Sequence, residues 1–573
     1  MNKMTEPGIG ADNVGKNRRL MGKRGKGRIG SKGRQVKTLA LEDVRMLLLN
    51  RMRRPDLLLE YLHLLQDHYG FLLLDHLAAL AEELRLSQAE VYEVATFYAH
   101  FDVVENVGAI HPGCTVRVCD SVTCAMFGGE DLRKSLALKN FAKVRVVRAP
   151  CMGRCESAPV AQIGHRHVDN ATVLSVEQVI AEGVSAPRIP VYLAFSDYQR
   201  EGGYELLREC LSGVRLAETV ITEMEESSLK GLGGAGFSAG RKWRLVHSSV
   251  EPLMAVNADE GEPGTFKDRF ILETSPHQFL EGMLVAAWAV GATTIFVYVR
   301  DEYPAAREIL EQELGVLRGS GLLDGFKVNI RRGAGAYICG EESAMLESLE
   351  GKRGEPRHKP PFPAEAGLFG RPTLIHNVET LYWVPEILTK GADWFARQGR
   401  RGSQGLRLFS VSGRINVPGV KVAPAGVTAL ELVEEYAGGM QNGHQFKAYL
   451  PGGASGGILP ANLANIPLDF GTLDEYGCFV GSGAVVILSD QDPIAEVVLN
   501  LMRFFEDESC GQCTPCRVGC EKAVKLLERP VWDEELLRQL SVGMTDASIC
   551  GLGQAAPNPL LGALRFFREE LPL

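Results

Sequence analysis

The stretch ESCGQCTPCRVGC, residues 508–520, sets Cys510, Cys513, Cys516 and Cys520 into eleven positions with the spacing C-x2-C-x2-C-x3-C. Thiolates this dense on one short segment are ligands for an iron-sulfur cluster. The spacing alone leaves the fourth ligand open: Cys520 closes the run, and Cys550 follows Cys516 after thirty-three residues. A second group is Cys119-x4-Cys124, then twenty-six residues, then Cys151-x3-Cys155. Two pairs, each on one short loop, suit a 2Fe-2S cluster, in which each iron takes two sulfurs. Structural zinc is the alternative, although it favours tighter C-x2-4-C knuckles, and the lack of a C-x-x-C in this group argues against thiol-disulfide exchange. Cys114, Cys210, Cys339 and Cys478 read as small buried hydrophobes. Thirteen cysteines so unevenly spaced make a poor disulfide scaffold.

Three glycine-rich turns carry the remaining chemistry. KGLGGAGFSAGRKW contains Gly231-x-Gly233-x-x-Gly236, the letters of the dinucleotide fingerprint. The preceding LAETVITEMEESSLK reads as an amphipathic helix, where that fingerprint requires a strand. Its physical content survives: five glycines in ten residues let backbone amides approach a phosphate or a flat ring, with Lys230, Arg241 and Lys242 near to balance negative charge. VNADEGEPGTFKDR (256–269) follows the strand-like LMAVN, and RRGAGAYICGEESAMLESLEG (331–351) joins the strand-like FKVNI to a helix. Asp259, Glu260 and Glu262 crowd one turn, Glu341 and Glu342 the other. Charges on turns are ordinarily solvated, but beside strand ends on glycine-rich turns these read as acceptors for the hydroxyls of a ribose or ribityl chain.

The chain has 573 residues, enough for several cores, with 45% hydrophobic and 23% charged residues and no apolar run that would span a bilayer. Its net charge of −9 conceals an asymmetry, because residues 1–38 hold eleven Lys or Arg against two acidic residues. That arm lacks interleaved aromatics for nucleic acid and an apolar segment for export, so it reads as a disordered tail for an acidic partner. Apolar residues at three- and four-residue intervals then predict a helical bundle over 39–112. From Cys114 a strand-helix-strand-hairpin-helix order predicts a thioredoxin-like unit over 113–187, with both cysteine pairs just after strands. A linker near 186–190 leads into an α/β region over 188–404, a β-grasp over 405–490, and a helical C-terminal region over 491–573. The fold expected is therefore multidomain α/β and α+β.

Taken in order, GLGGAGFSAGRKW, NADEGEPGTFKDR, GAGAYICGEESAMLESLEG, KPPFPAEAGLFGRPTLIHNVETL and ESCGQCTPCRVG resemble the flavin-binding, NADH-oxidising subunit of respiratory complex I over about residues 191–573. Residues 39–187 separately resemble its 24-kDa-type 2Fe-2S partner, here fused into the same chain. Fusion makes the chain similar to the diaphorase subunits of NAD-reducing nickel-iron hydrogenases and, most of all, to the beta subunits of soluble molybdenum- or tungsten-dependent NAD formate dehydrogenases. The resemblance implies FMN on the loop Gly233, Gly234, Gly236 and Phe237, with Lys242, Asn257, Asp259, Glu260, Tyr337, Asn377 and Thr380 around it. Glu262, Gly340 and Glu341 belong to the same cofactor set. It further implies NAD stacked on the flavin beside Phe237, Glu342 accepting ribose hydroxyls, and Lys359 and Phe362 on the adenine side. His376 and Leu245 depart from the family pattern. It also implies 2Fe-2S ligation by Cys119, Cys124, Cys151 and Cys155, and 4Fe-4S ligation by Cys510, Cys513, Cys516 and Cys550, the last in the setting SICGLG.

The function implied is that of a cytoplasmic diaphorase component. FMN converts between two-electron hydride and one-electron cluster chemistry, and no side chain acts as general acid or base. The expected partner is a large molybdopterin or tungstopterin formate dehydrogenase alpha subunit with further iron-sulfur clusters, in a hetero-oligomer without nucleic acid or membrane. A hydrogenase diaphorase or a complex I-type subunit is the alternative. A binding module for polysaccharide or cobalamin, built on the β-grasp, would leave eight well-spaced cysteines without a role.

Overall fold

The computed structural model of the protein describes residues 33–105, 113–139, 141 and 144–573. The expected basic arm lies almost wholly outside the described residues. Helices Thr38–Leu48, Leu58–Tyr69, Leu74–Leu84 and Gln88–Phe97 form the bundle. The second stops at Gly70, whose φ of 80° breaks the helix, and the fourth starts from a Ser87–Glu90 capping box. This bundle is not a separate arm. Its core residues Val44, Leu62, Leu80 and Tyr98 share one hydrophobic cluster with Ala255, Phe296 and Tyr298 of the next sheet and with Leu501 and Phe505 near the C-terminus.

The thioredoxin-like unit holds a four-stranded sheet in the order β2-β1-β3-β4, with β1 Cys114–Cys119, β2 Val144–Ala149, β3 Ala161–Ile163 and β4 Arg166–Val168. β1 and β2 run parallel with Cys119 opposite Ala149, so the loops that follow them leave the same end of the sheet. Helix Val173–Glu182 closes the unit at Gly183. An exposed stretch follows, with Val191 98% exposed, before helix Phe195–Arg200.

β5 Leu253–Ala258, β6 Thr294–Val299, β7 Lys327–Arg332 and β8 Thr373–Asn377 form an all-parallel sheet in the order β8-β5-β6-β7. Helices Pro276–Val290 and Pro304–Ser320 make the crossovers. β5 and β6 are nearly continuous runs of buried apolar residues, as parallel strands covered on both faces require. Asn257 and Asn377 are register partners at the carboxyl ends of adjacent strands, where α/β sheets place ligands.

The next sheet has the order β10-β9-β13-β11-β12, with β9 Leu406–Gly413, β10 Gly419–Pro424, β11 Phe446–Leu450, β12 Leu459–Pro460 and β13 Ala484–Ser489. Its central pair, β9 and β13, is parallel and its flanks are antiparallel, as in a β-grasp. The single helix expected inside it is instead a three-residue turn, Ala429–Glu431, continuing into a π-helical turn, Leu432–Tyr436. Helices Ile494–Asp507, Thr514–Leu527, Glu534–Ala547, Gly551–Ala555 and Asn558–Phe566 end the chain. Among the described residues no helix is long and apolar enough to cross a membrane.

Candidate functional site

Cys119 ends β1, Cys124 sits on the short helix Val122–Met126, and Cys151 and Cys155 lie on the loop after β2. All four thiols are buried and free. The Cys119 thiol is within reach of both Cys124 and Cys151, and the Cys151 and Cys155 sulfurs are 3.4 Å apart. The Gly153 amide donates to the Cys151 sulfur at 3.4 Å. Four converging thiols in an apolar shell, with an amide aimed at one sulfur, fit a 2Fe-2S cluster.

The next domain grips this loop through residues that sequence reasoning missed. Arg300, just past β6, donates to the Cys151 carbonyl at 2.7 Å, to Glu302, and to the Glu260 carbonyl. Arg269 donates to the Gly153 carbonyl at 2.7 Å and pairs with Glu156 and Glu273. Tyr303 donates to Glu260 at 2.8 Å and lies so close to Gly153 that a Cβ there would sit 2.1 Å from its hydroxyl oxygen. Arg300 therefore bonds both the cysteine loop and the acidic loop 256–269, and Arg269 ties the second directly to the first. The only sequence signal was a charged segment, RDEY, directly after the apolar strand TIFVYV.

At the second cysteine group, Cys513 precedes helix Thr514–Leu527, and Cys516 and Cys520 lie one turn apart on it. Cys550 leads into helix Gly551–Ala555, and Gly553 packs so tightly that a Cβ would lie 2.8 Å from Cys516 Cβ. The amides of Leu552 and Gly553 donate to the Cys550 sulfur, and Cys510 receives the Gln512 amide. Cys520 is fully buried in mid-helix with Cys516 as its thiol partner. Thiols near one another with amides directed at two of them fit a 4Fe-4S cluster. Cys510 and Cys513 are only half-buried. Cys510 lines a cavity of about 460 Å³ that also reaches Asp120 and Pro150, beside the first cysteine group.

The glycine loop is pinned between the same sheets. The Thr380 hydroxyl accepts from the Leu232 amide at 2.9 Å, and Gly234 has a φ of 133°, with the Gly481 backbone 3.9 Å from where a Cβ would sit. Phe237 and Phe362 are exposed by about half of their surface, 45% and 55%. Lys242 is half-buried, donates to the Ile375 carbonyl at 3.2 Å and lies 3.9 Å from Glu342, and loss of water around its ammonium lowers its pKa. Lys359 donates to Glu341 at 3.0 Å and to Glu342 at 2.7 Å. Burial works to raise Glu342, but the two lysines hold its carboxyl below the usual range. A glycine cradle with aromatic rings, lysines and carboxylates on its rim fits FMN and a second nucleotide.

Several expected contacts are already taken by the protein. Glu341 caps helix Glu342–Leu349 by accepting from Ser343 and Ala344. Glu262 accepts from the Tyr337 hydroxyl and from Ser455. Glu260 accepts from the Asp268 and Arg269 amides as well as from Tyr303. Asn257 donates to the Gly340 carbonyl at 2.8 Å and accepts from the Asp259 amide. Asp259 differs: its Oδ2 is buried without a partner, and burial raises the carboxyl well above its ordinary pKa. His376 accepts from the Trp243 indole at 2.7 Å inside the core, and Leu245 is exposed. Cys210, Cys339 and Cys478 are buried, as expected of small apolar residues, and Cys114 is half-buried.

Residues 224–386 match the Nuo51 FMN-binding domain, residues 46–183 the thioredoxin-like [2Fe-2S] ferredoxin family, and residues 496–572 the NADH-ubiquinone oxidoreductase-F iron-sulfur binding region. The chain is 44% identical over 391 residues to the F 2 subunit of NADH-quinone oxidoreductase from Rhizobium meliloti (strain 1021), covering 65% of this chain and 93% of that one. It is 39% identical over 393 residues to the F-type subunit of NADH-quinone oxidoreductase from Aquifex aeolicus (strain VF5), covering 66% and 90%. A chain in the crystal structure of an air-oxidized NAD+-reducing [NiFe]-hydrogenase superposes with a TM-score of 0.79 at 30% identity, covering 91% of this chain and 94% of that one.

Proposed function

Because the chain belongs to the family of the F-type subunits of NADH-quinone oxidoreductase, with FMN-binding and 4Fe-4S regions to which a thioredoxin-like [2Fe-2S] unit is joined, we propose that it is the diaphorase of a cytoplasmic, formate-oxidising complex. Electrons from a molybdopterin or tungstopterin partner subunit enter through the clusters and leave as hydride on NAD+. The fusion of the thioredoxin-like unit to the flavin-binding region in one chain carries this reading. The six-part division of the chain belongs to the same proposal. A second reading, a hydrogenase diaphorase, is favoured by the superposition over 94% of the hydrogenase chain. Metal analysis of the native complex separates them: molybdenum or tungsten with a large partner supports the first, nickel the second.

Bound FMN supplies the exchange between hydride and single electrons. The protein's part is placement. In this reading the loop Gly233 to Phe237 presents backbone amides to the flavin phosphate, with Lys242 adding positive charge. Phe237 and Phe362 offer apolar faces on which the dinucleotide stacks. The Glu342 carboxylate accepts the adenosine ribose hydroxyls and repels a 2′-phosphate, which favours NAD over NADP. Removing that carboxylate frees Lys359 and Lys242 at the same point. Glu342→Ala should therefore raise the NADP-to-NAD ratio of kcat/KM by about tenfold, the worth of one charge-assisted contact. An unchanged ratio in steady-state kinetics removes Glu342 from this role.

A further inference from the structure

Lys267 is 1% exposed, and it lies between residues that the sequence does not bring together. Its ammonium donates to Asp268 Oδ1 at 2.7 Å and to Asn377 Oδ1 at 3.1 Å, and it pairs with Glu379 Oε2 at 3.1 Å. Asn377 is fully committed as a result. Its Oδ1 also accepts from the Glu379 amide at 3.0 Å, and its Nδ2 donates to Asp268 Oδ2 at 2.5 Å and to the Asn257 carbonyl at 3.5 Å. A side-chain amide has two acceptor and two donor positions, and all four are used inside the protein. Asn377 has no polar position left for a cofactor. What it touches instead is the glycine loop, since a Cβ on Gly233 would lie 3.0 Å from Asn377 Cβ.

We infer that Lys267 and Asn377 are positioning residues for the flavin site. Lys267 sets the orientation of the Asn377 amide and neutralises the carboxylates beneath it, and Asn377 sets the height of the loop Gly233 to Phe237. This inference rests on that loop carrying flavin. The same ammonium also steadies the acidic turn, because the Asp268 amide donates to Glu260. The charged and titratable groups facing this knot are Asp268, Glu379, Glu260, Arg407 and Tyr382. Lys267 is the only cation bonded to Asp268 and Glu379 among the described residues.

The knot carries one positive and two negative charges, so Lys267→Met adds one net negative charge to a closed interior, and such a charge is relieved by protonation. Burial already raises the Glu379 carboxyl, and loss of the lysine raises it further. In Lys267→Met, FMN retention, read by released flavin fluorescence, should be near that of the parent at about pH 6 and fall at least about tenfold by about pH 8.5. Lys267→Met/Glu379→Gln restores the native net charge and should retain flavin at both values. The electron paramagnetic resonance signals of both clusters report that each variant has folded. Normal retention in Lys267→Met at the higher pH, equal loss at both, or failure of the double variant to recover overturns the inference. A parent chain that binds no FMN overturns instead the reading on which it rests.

Discussion

The two cysteine sites solve the same ligation problem with opposite architectures. Cys119 and Cys124, on a strand end and the short helix after it, and Cys151 and Cys155, on the loop after the neighbouring strand, lie at one end of a small sheet, all buried, and Arg269, Arg300 and Tyr303 clamp that loop from the neighbouring domain. Cys510, Cys513, Cys516 and Cys550 combine a helix start with a distant turn, and two of them border solvent near a cavity of about 460 Å³. A site closed on every side can be tuned by the protein but is hard to reach. A site with two half-open thiols lies nearer the surface. The difference teaches that ligand spacing sets which cluster forms, while the surrounding domains set what that cluster can meet.

The sharpest break in this contrast would be a different fourth thiol at the open site. Cys550→Ser should abolish the 4Fe-4S electron paramagnetic resonance signal and leave the 2Fe-2S signal intact. Cys520→Ser should keep both, because Cys520 is fully buried in mid-helix, one turn beyond Cys516. The reverse pattern would give the site a compact ferredoxin-like ligand set and erase half of the contrast.

Next in size is the clamp on the closed site. Arg300→Met removes the partner of a buried Glu302 and the donor to Cys151 and Glu260. Breaking a buried pair in this way costs about 3–5 kcal/mol. The expected result is partial loss of the 2Fe-2S signal together with faster proteolysis between the two units, while the 4Fe-4S signal persists. Retention of the 2Fe-2S signal at full intensity would show that the closed site does not depend on its neighbour.

The smallest effect concerns the ground between the sites. Asp259, Arg300, Glu302, Tyr337 and Glu508 line one small internal chamber, in which burial raises Asp259 and brings Glu508 to about 7. A carboxyl whose folded pKa lies above its unfolded value holds extra protons in the folded state, so its stabilisation is complete at low pH and is lost as pH rises. In the flavin-free chain the thermal midpoint should therefore drop by a few degrees at most between about pH 6 and pH 9, at roughly 1 °C per kcal/mol for a chain of this length. Asp259→Asn should flatten that slope and change little at the acidic end. An unaltered slope by calorimetry would assign the pH dependence elsewhere.

The gathering of the grouped cysteines was legible because Cys119 with Cys124, Cys151 with Cys155, and Cys510 with Cys513 and Cys516 each share a short segment, whereas spacing alone said nothing of Cys550. The strand order of the thioredoxin-like unit and the glycine turns at strand ends were legible for the same local reason. The clamp was not, since Arg269 and Arg300 reach the cysteine loop from more than a hundred residues away. Nor was the role of the acidic turns. Glu341 and Asn377 stand immediately before helices, and that placement is the usual signal of a capping residue. Glu262 gave no such signal, because its partners Tyr337 and Ser455 are distant in the chain. A polar residue on a glycine-rich turn can serve a ligand or hold the turn, and only the contacts distinguish the two.

The exposed stretch around Val191 that joins the first cysteine unit to the rest of the molecule changes what their interface has to achieve. Largely buried ion pairs such as Arg269 with Glu156 return little net free energy once their dehydration is counted. Between two separate polypeptides, a contact built on them would need extra apolar area to persist in dilution. A covalent leash instead holds the halves at an effective concentration on the order of millimolar, so this contact can be selected for geometry rather than strength.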